Sequence, residues 1–266
     1  MVTSGIDGWI GHTAMSDPAD HAPSLADLPA DIGALNRVIQ GVLVHSDWLH
    51  EYGLDEKLLH AESRQTLPVA RRLTDIFERD AQPLHIPRSP DRRAIGTCRD
   101  FALMLCSMLR CKGVPSRVRC GFASYFHDGW EDHWVCEYWS RSAREWRLSD
   151  PQIDAIQREK CHIGFDPTDI PRQTFLTADQ AWLECRAGRS DPGRFGHGQM
   201  TGTWFLKVNL IRDHYVINNR EISLWDTWRC APSSIRTVTD HEAAMLDVLA
   251  ASPERTLVEI DPDWMK

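Results

Sequence analysis

The stretch Gly96-Thr97-Cys98-Arg99-Asp100-Phe101-Ala102-Leu103-Met104-Leu105 places a cysteine directly before a run of helical periodicity. Apolar side chains recur there at the spacing of one helix face: Phe101, Met104, Leu105, Met108 and Leu109. The pattern predicts a helix from Arg99 to about Lys112, with Thr97 as its N-cap and Asp100 in its first turn. Cys98 therefore lies at the helix start, where free N–H groups and the helix dipole favour a thiolate.

A cysteine at a helix start is weak evidence when taken alone, because free cysteines most often behave as small buried hydrophobes. The downstream sequence adds three strands. Alternating or β-branched runs predict strands over 116–122, 132–139 and 145–149, and Asp150-Pro151 ends the last one. We therefore expect an α+β fold in which the cysteine-bearing helix packs on an antiparallel sheet.

The flanking regions predict further helices. Apolar periodicity indicates helices over about 32–50 and 67–80 before the cysteine, and over 153–160, 177–186, 200–217, 221–229 and about 239–251 after it. Gly193, Gly196 and Gly198 indicate a flexible loop. We expect a loosely structured lead-in over 1–30, a core domain over 31–160, and a mainly helical extension packed on that core over 161–266.

Composition narrows the function classes. The chain has 266 residues, 42% of them hydrophobic and 26% charged, as in an ordinary globular protein. Its net charge of −8 argues against a nucleic-acid or anionic-membrane partner. There is no apolar run of membrane-spanning length and no secretory signal pattern. The eight cysteines form no CxxC pair, so we expect reduced thiols in a cytoplasmic protein, with no metal and no cofactor.

Three residue types needed for nucleophilic catalysis follow one another along the chain. Cys98 starts the helix, His133 lies on the second predicted strand and Asp150 ends the third. If these two strands pair, His133 and Asp150 approach each other across the hairpin. The imidazole would take the thiol proton, and the carboxylate would orient the ring and stabilise the imidazolium.

The same motifs resemble the transglutaminase-like superfamily, a papain-like group of transglutaminases, proteases and amide-forming enzymes. The resemblance covers about Ala94–Asp154 and rests on four segments in the family's order: Gly96–Ala102, Leu109–Val118, Asp132–Glu137 and Trp146–Pro151. They contain a Gly-x-Pro-x-Arg join, a His-Trp-Val-x-Glu strand and a Trp-x-x-x-Asp-Pro strand. The resemblance implies the α+β core described above.

The resemblance also implies roles for the three residues: Cys98 as nucleophile, His133 as general base and acid, and Asp150 as the residue that orients the histidine. One departure is Cys136, which stands before Glu137 where many members have a glutamate directly. The backbone N–H of Cys98 can serve as one oxyanion donor. Trp48 and Gln65 are both candidates for the side-chain donor, and their spacing selects neither.

Several functions are compatible with this sequence. The first is acyl transfer on a peptide, protein or small-molecule amide through a Cys98 thioester, resolved by water. The second is amide-bond formation with an amine acceptor by the same three residues. The third is a binding or scaffold protein on the same fold, with an unused triad. The sequence leaves the oligomeric state open.

Neighbouring residues have simpler interpretations. Arg117 and Glu137 are placed to form a structural ion pair across two strands, and Trp134 is expected to pack beside the histidine. Asp100 is expected to cap the helix. The tryptophans at 204, 225 and 228 are expected in the core. The remaining cysteines are expected to be buried and unreactive.

Overall fold

The computed structural model of the chain describes residues 5–61, 68–221 and 237–251. Its α-helices are α1 (Ala22–Ala26), α2 (Ile32–Val42), α3 (Leu58–Ala61), α4 (Val69–Arg79), α5 (Cys98–Cys111), α6 (Ala155–Lys160), α7 (Ala178–Arg186), α8 (Thr203–Val216) and α9 (Asp240–Ala251). Its strands are β1 (Leu43–His45), β2 (Ala94–Gly96), β3 (Ser116–Ala123), β4 (Trp130–Ser140), β5 (Glu145–Ser149), β6 (Phe175–Thr177), β7 (Phe195–His197) and β8 (Met200–Thr201). Among these residues, no helix combines the length and apolar character that a membrane crossing requires.

The strands form two sheets. One is the parallel pair β1–β2, and the other has the order β6-β3-β4-β7-β8 with β5 paired to β4. The chain divides into two compact units, the first comprising Met1–Val118 and Val135–Ile170 and the second comprising Arg119–Trp134 and Pro171–Lys266. Strands β3 and β4 each contribute residues to both units.

The first unit is built around α5, whose residues 99–110 are all buried. Helices α2 and α4 pack against α5, and β5 pairs antiparallel with the second half of β4, from Cys136↔Ser149 to Ser140↔Glu145. Near its end α5 contacts β3, because the Arg110 guanidinium donates from Nε and Nη2 to the carbonyl of Ser116 (3.1 and 2.9 Å). The cysteine-bearing helix thus lies on the sheet, as predicted.

The second unit packs α7, α8 and α9 together with the strands. The second half of β3 pairs antiparallel with β6, and the first half of β4 pairs in parallel with β7. Its apolar core includes Phe122, Trp182, Phe205 and Leu246, all essentially inaccessible to solvent. Trp204 is also buried in this core, as predicted.

The α+β class and most of the central elements are confirmed. The predicted helix 99–112 is α5, and the three predicted strands are β3, β4 and β5. Gly113 ends the helix in the left-handed region, at φ +67°. The ion pair between Arg117 and Glu137 is present at 2.7 Å, with the guanidinium also lying on the ring of Trp146. The predicted helix 221–229 lies outside the described residues apart from Glu221, and so do its two tryptophans, Trp225 and Trp228.

Two local predictions are wrong. The helix predicted over 32–50 ends at Val42, because Leu43–His45 leaves it to pair in parallel with β2. The loop predicted around Gly196 contains β7 and β8. A side chain at Gly196 would lie 2.0 Å from the carbonyl oxygen of Met200, so this glycine permits close strand pairing rather than flexibility.

The N-terminal region is also more ordered than its composition suggests. Ser16 is fully buried and its hydroxyl accepts a hydrogen bond from Arg110 Nη1 (2.7 Å). The carbonyl of Met15 accepts from the Val69 N–H (2.8 Å), and Lys112 Nζ donates to the carbonyl of Leu28 (2.6 Å). These buried or half-buried donors need acceptors, and the lead-in supplies them.

Candidate functional site

Cys98 is the first residue of α5, and its side chain is partly exposed. Asp100 fixes the turn in front of it, because one carboxylate oxygen, Oδ2, accepts from the backbone N–H of Thr97 (2.8 Å) and from its hydroxyl (3.2 Å). This is the capping role expected for Asp100. The thiol therefore lies where the first N–H groups of a 14-residue helix favour negative charge.

Arg72 on α4 also stabilises this turn. Its Nε and Nη2 atoms donate to the other carboxylate oxygen of Asp100 (3.3 and 3.0 Å), and Nη1 donates to the carbonyl of Ile95 (2.9 Å). Gly96 packs closely there, because a Cβ at this position would lie 3.1 Å from the Cβ of Asp100. The sequence pointed to Asp100 but not to Arg72, which shares the buried face of α4 with Val69 and Ile76.

Asp150 follows β5 and is completely buried. Its backbone N–H donates to the carbonyl of Pro167 (2.8 Å), so the chain leaves the β4–β5 ladder at this residue. Its Oδ1 accepts the N–H of Gln152 (3.0 Å), which closes a tight turn. One carboxylate oxygen is thus engaged in holding the turn.

Helix α2 anchors the backbone on both sides of Asp150. Asn36 donates from Nδ2 to the hydroxyl of Ser149 (3.1 Å). Gln40 donates from Nε2 to the carbonyls of Pro151 (3.1 Å) and Ile153 (3.0 Å). Sequence reasoning did not identify these two amides, although a polar residue at position 36, inside the apolar stripe of α2, was an available signal.

His133 lies in the first half of β4 and is 2% exposed. Two aromatic rings lie nearly perpendicular to its imidazole, with centroid distances of 4.9 Å to Phe126 and 5.9 Å to Tyr125. Trp134 is buried beside it in the chain, as expected for a packing residue, and the guanidinium of Arg212 lies 4.8 Å from the centroid of its ring. The imidazole is thus buried and in contact with aromatic rings.

The three predicted residues are distributed over the two units. Cys98 and Asp150 belong to the first unit, and His133 belongs to the second. Strand β4 carries His133 in its first half, and its second half pairs with β5, which ends one residue before Asp150.

The other thiols differ in their electrostatics. Burial raises the pKa of the Cys136 thiol well above its ordinary value, and the neighbouring Cys106 reinforces this effect. Burial also raises the pKa of Cys111 and Cys161, and raises that of Cys185 to about 11. A raised pKa disfavours the nucleophilic thiolate at neutral pH. Cys106, Cys120 and Cys136 are buried as expected, whereas Cys111, Cys161 and Cys185 are partly exposed, so the prediction of buried thiols is wrong for these three.

A second group of polar side chains lies on β4 and β7. Glu131 accepts from His127 Nε2 (2.6 Å) and is also bonded to Nδ1 of His197. Burial tends to raise the pKa of Glu131, but the two histidines outweigh it and lower the pKa below 4.5. Within the described ranges, no three histidine, cysteine or acidic side chains are grouped so that they could hold a metal ion.

The central part of the chain is similar to a known protein family. The family model of the transglutaminase-like superfamily matches residues 71–151, a range that includes Cys98, His133 and Asp150. No curated protein and no solved structure matches the chain significantly. The matched range begins in α4 and ends just after β5, so it covers the cysteine-bearing helix and the strands that follow it. Over residues 71–151 the chain is therefore similar to the transglutaminase-like superfamily.

Proposed function

We propose that the protein is a cysteine acyltransferase that hydrolyses an amide through a thioester on Cys98. The observation that carries the proposal is the family match over 71–151, which suggests cysteine-based acyl transfer or hydrolysis and contains all three residues that the mechanism needs. The capped start of α5 supports the role of Cys98, because it provides an anion-stabilising position for a partly exposed thiol.

In this mechanism the His133 imidazole takes the proton of the Cys98 thiol. The thiolate attacks the amide carbonyl, and the backbone N–H of Cys98 stabilises the oxyanion. The imidazolium then gives its proton to the leaving amine as the C–N bond breaks and the thioester remains. Water, deprotonated by the same imidazole, attacks the thioester and releases the acid and the thiol.

Asp150 is the residue that we assign to orient His133. Cys136 faces Ser149 in the last pair of the β4–β5 ladder, so Asp150 leaves the sheet at the level of Val135. Because side chains alternate along a strand, His133 and Val135 share one face of β4. In the proposed mechanism the Asp150 carboxylate orients the imidazole and stabilises its protonated form.

Two acyl acceptors, water and an amine, are compatible with this mechanism. We assign this role to water, which is always available, while an amine would give a transglutaminase or amide synthase with the same three residues. We propose an amide of a peptide, protein or small molecule as the acyl donor and expect no nucleic acid or membrane partner, in keeping with the net charge of −8.

Trapping the acyl-enzyme tests the proposal. The protein is incubated with a panel of N-acyl p-nitroanilides and glutamine-containing peptides, quenched in acid and analysed by intact-mass spectrometry. We expect an adduct on Cys98 in the parent and none in Cys98→Ala. Cys111→Ala is the matched control, because it removes a partly exposed thiol at the other end of α5.

Adding methylamine to the reaction separates the two acceptors. Hydrolysis predicts the free acid as the main product, whereas an amine acceptor predicts the N-methyl amide. No adduct on Cys98 with any donor, in a protein whose Cys98 is also unreactive toward alkylating agents at neutral pH, would contradict the catalytic proposal and favour a binding protein.

A further inference from the structure

Helix α8 carries a buried polar stripe that lies against the strand of His133. Asn209, Arg212 and Asp213 are spaced i, i+3 and i+4, so they share one helix face. All three are buried, and all three bond to side chains or backbone groups of β3 or β4. The helix lies outside residues 71–151, the range that matches the superfamily.

Arg212 holds the two residues that flank His133. Its Nη1 donates to both carboxylate oxygens of Asp132 (3.2 and 3.3 Å), and its guanidinium lies 4.8 Å from the ring centroid of Trp134. Side chains alternate along β4, so Asp132 and Trp134 lie on one face and His133 on the other. A strand residue with both neighbours held in this way has a fixed Cα position and a fixed Cα–Cβ direction.

Asn209 connects the clamp, which is the contact of Arg212 with Asp132 and Trp134, to the adjacent strand β3. Its Oδ1 accepts from Arg212 Nη1 (2.6 Å) and from the thiol of Cys120 (3.0 Å), while its Nδ2 donates to Asp132 Oδ1 (3.0 Å) and to the carbonyl of Gly121 (3.4 Å). The side-chain amide thus uses both its donor and its acceptor in the network. This leaves the orientation of the Arg212 guanidinium little freedom.

Asp213 extends the network along β3. Its carboxylate accepts from the Cys120 N–H (2.9 Å) and from Arg119 Nε and Nη2 (3.0 and 2.7 Å). Buried ion pairs are costly to desolvate, and apolar side chains of similar volume often stabilise a protein as much. A buried ionic cluster of this size is therefore better explained by the geometry it imposes than by stability.

We propose that Arg212 and Asn209 are positioning residues, which fix the direction of the His133 side chain through Asp132 and Trp134. The inference rests on the catalytic role proposed for His133, and neither residue is assigned any contact with the substrate. It gives α8 a function in the reaction, although this helix lies outside the family match.

The test compares Arg212→Met with Lys207→Met. Lys207 lies on the same helix, is buried, and forms an ion pair of 2.6 Å with Glu242 on α9. Lys207→Met therefore removes an ion pair of α8, as Arg212→Met does, but one that does not involve β4. Arg212→Lys is the milder variant in case Arg212→Met does not fold, because it keeps the charge but loses the planar group that lies on Trp134.

The first readout is the ¹³Cε1–Hε1 NMR signal of the His133 ring, recorded from pH 5 to 9 and identified by its loss in His133→Gln. We expect the signal to move or broaden in the Arg212 variants and to stay unchanged in Lys207→Met. An unchanged His133 signal in folded Arg212→Met or Arg212→Lys would overturn the inference, whether or not the protein is an enzyme.

The second readout is the rate of Cys98 alkylation at pH 6, which reports the proposed thiolate–imidazolium pair. We expect it to fall about tenfold or more in Arg212→Met, since small displacements of catalytic groups are costly, and to stay at the parent value in Lys207→Met. A parent protein without fast Cys98 alkylation would contradict the proposed function. The NMR signal would still decide whether α8 positions the histidine.

Discussion

Replacing Arg72 by methionine tests whether α4 supports the start of the cysteine-bearing helix. The Arg72 and Asp100 side chains are 5% and 3% exposed and lie 3.0 Å apart. Removing one partner of a buried ion pair costs about 3–5 kcal/mol, because it leaves the other charge uncompensated. Asp100 keeps both bonds from Thr97 to its other oxygen, so we expect the lower end, a loss of about 3 kcal/mol.

Urea unfolding at pH 7, followed by circular dichroism, measures this loss. Arg71→Met is the matched control, one residue away on the same helix. The Arg71 side chain is 55% exposed and pairs with Asp75 at 3.2 Å, so its removal should change the free energy of unfolding by less than about 0.5 kcal/mol.

The double variant Arg72→Met with Asp100→Asn removes the uncompensated charge and should recover about 1 kcal/mol or more relative to Arg72→Met. A loss below about 1 kcal/mol in Arg72→Met, or one equal to that of Arg71→Met, would refute the reasoning that this pair holds the turn before Cys98.

Three further variants test other parts of the description. Cys98→Ala should abolish turnover and shift the melting temperature no more than Cys111→Ala, since the thiol is partly exposed; a much larger shift would show a core role. Glu131→Gln should lower the free energy of unfolding by about 1 kcal/mol at pH 7. The lowered pKa of Glu131 means that its contribution is present above pH 4.5 and is lost as the pH falls through the folded value, so parent and variant should converge in urea titrations at low pH. Gly121→Ala should lower the free energy of unfolding by about 3 kcal/mol, because its Cβ would lie 2.2 Å from the carbonyl oxygen of Leu176. Gly164→Ala, which has open space around it, should leave this free energy nearly unchanged in the same urea titrations.

Local signals in the sequence were sufficient for the central elements. The i, i+3, i+4 pattern and the Thr97–Asp100 cap predict α5 to within one residue at each end. The short, alternating strands on either side of Asp-Gly and of the polar turn at 140–144 predict β3, β4 and β5. Even the Arg117–Glu137 pair was predictable, because both residues lie on neighbouring strands.

The features that the sequence did not predict depend on residues far apart in the chain. Leu43–His45 continues the helical periodicity of α2, and only its pairing with β2, about 50 residues away, makes it a strand. His197 has no partner visible in the sequence, yet it bonds to Glu131 across 66 residues. The α8 network joins residues up to 94 positions apart, and periodicity assigns such a helix to the core without showing that its buried face is polar.

The central claim is that Cys98 is a nucleophile activated by His133, and alkylation of individual cysteines by iodoacetamide from pH 5 to 9 tests it most directly. Cys111 and Cys161 are internal controls in the same sample, since burial raises the pKa of both thiols. We expect Cys98 alone to react quickly near pH 6 and to lose this advantage in His133→Ala. A Cys98 that titrates like its two controls, or that reacts equally well without His133, would contradict the claim.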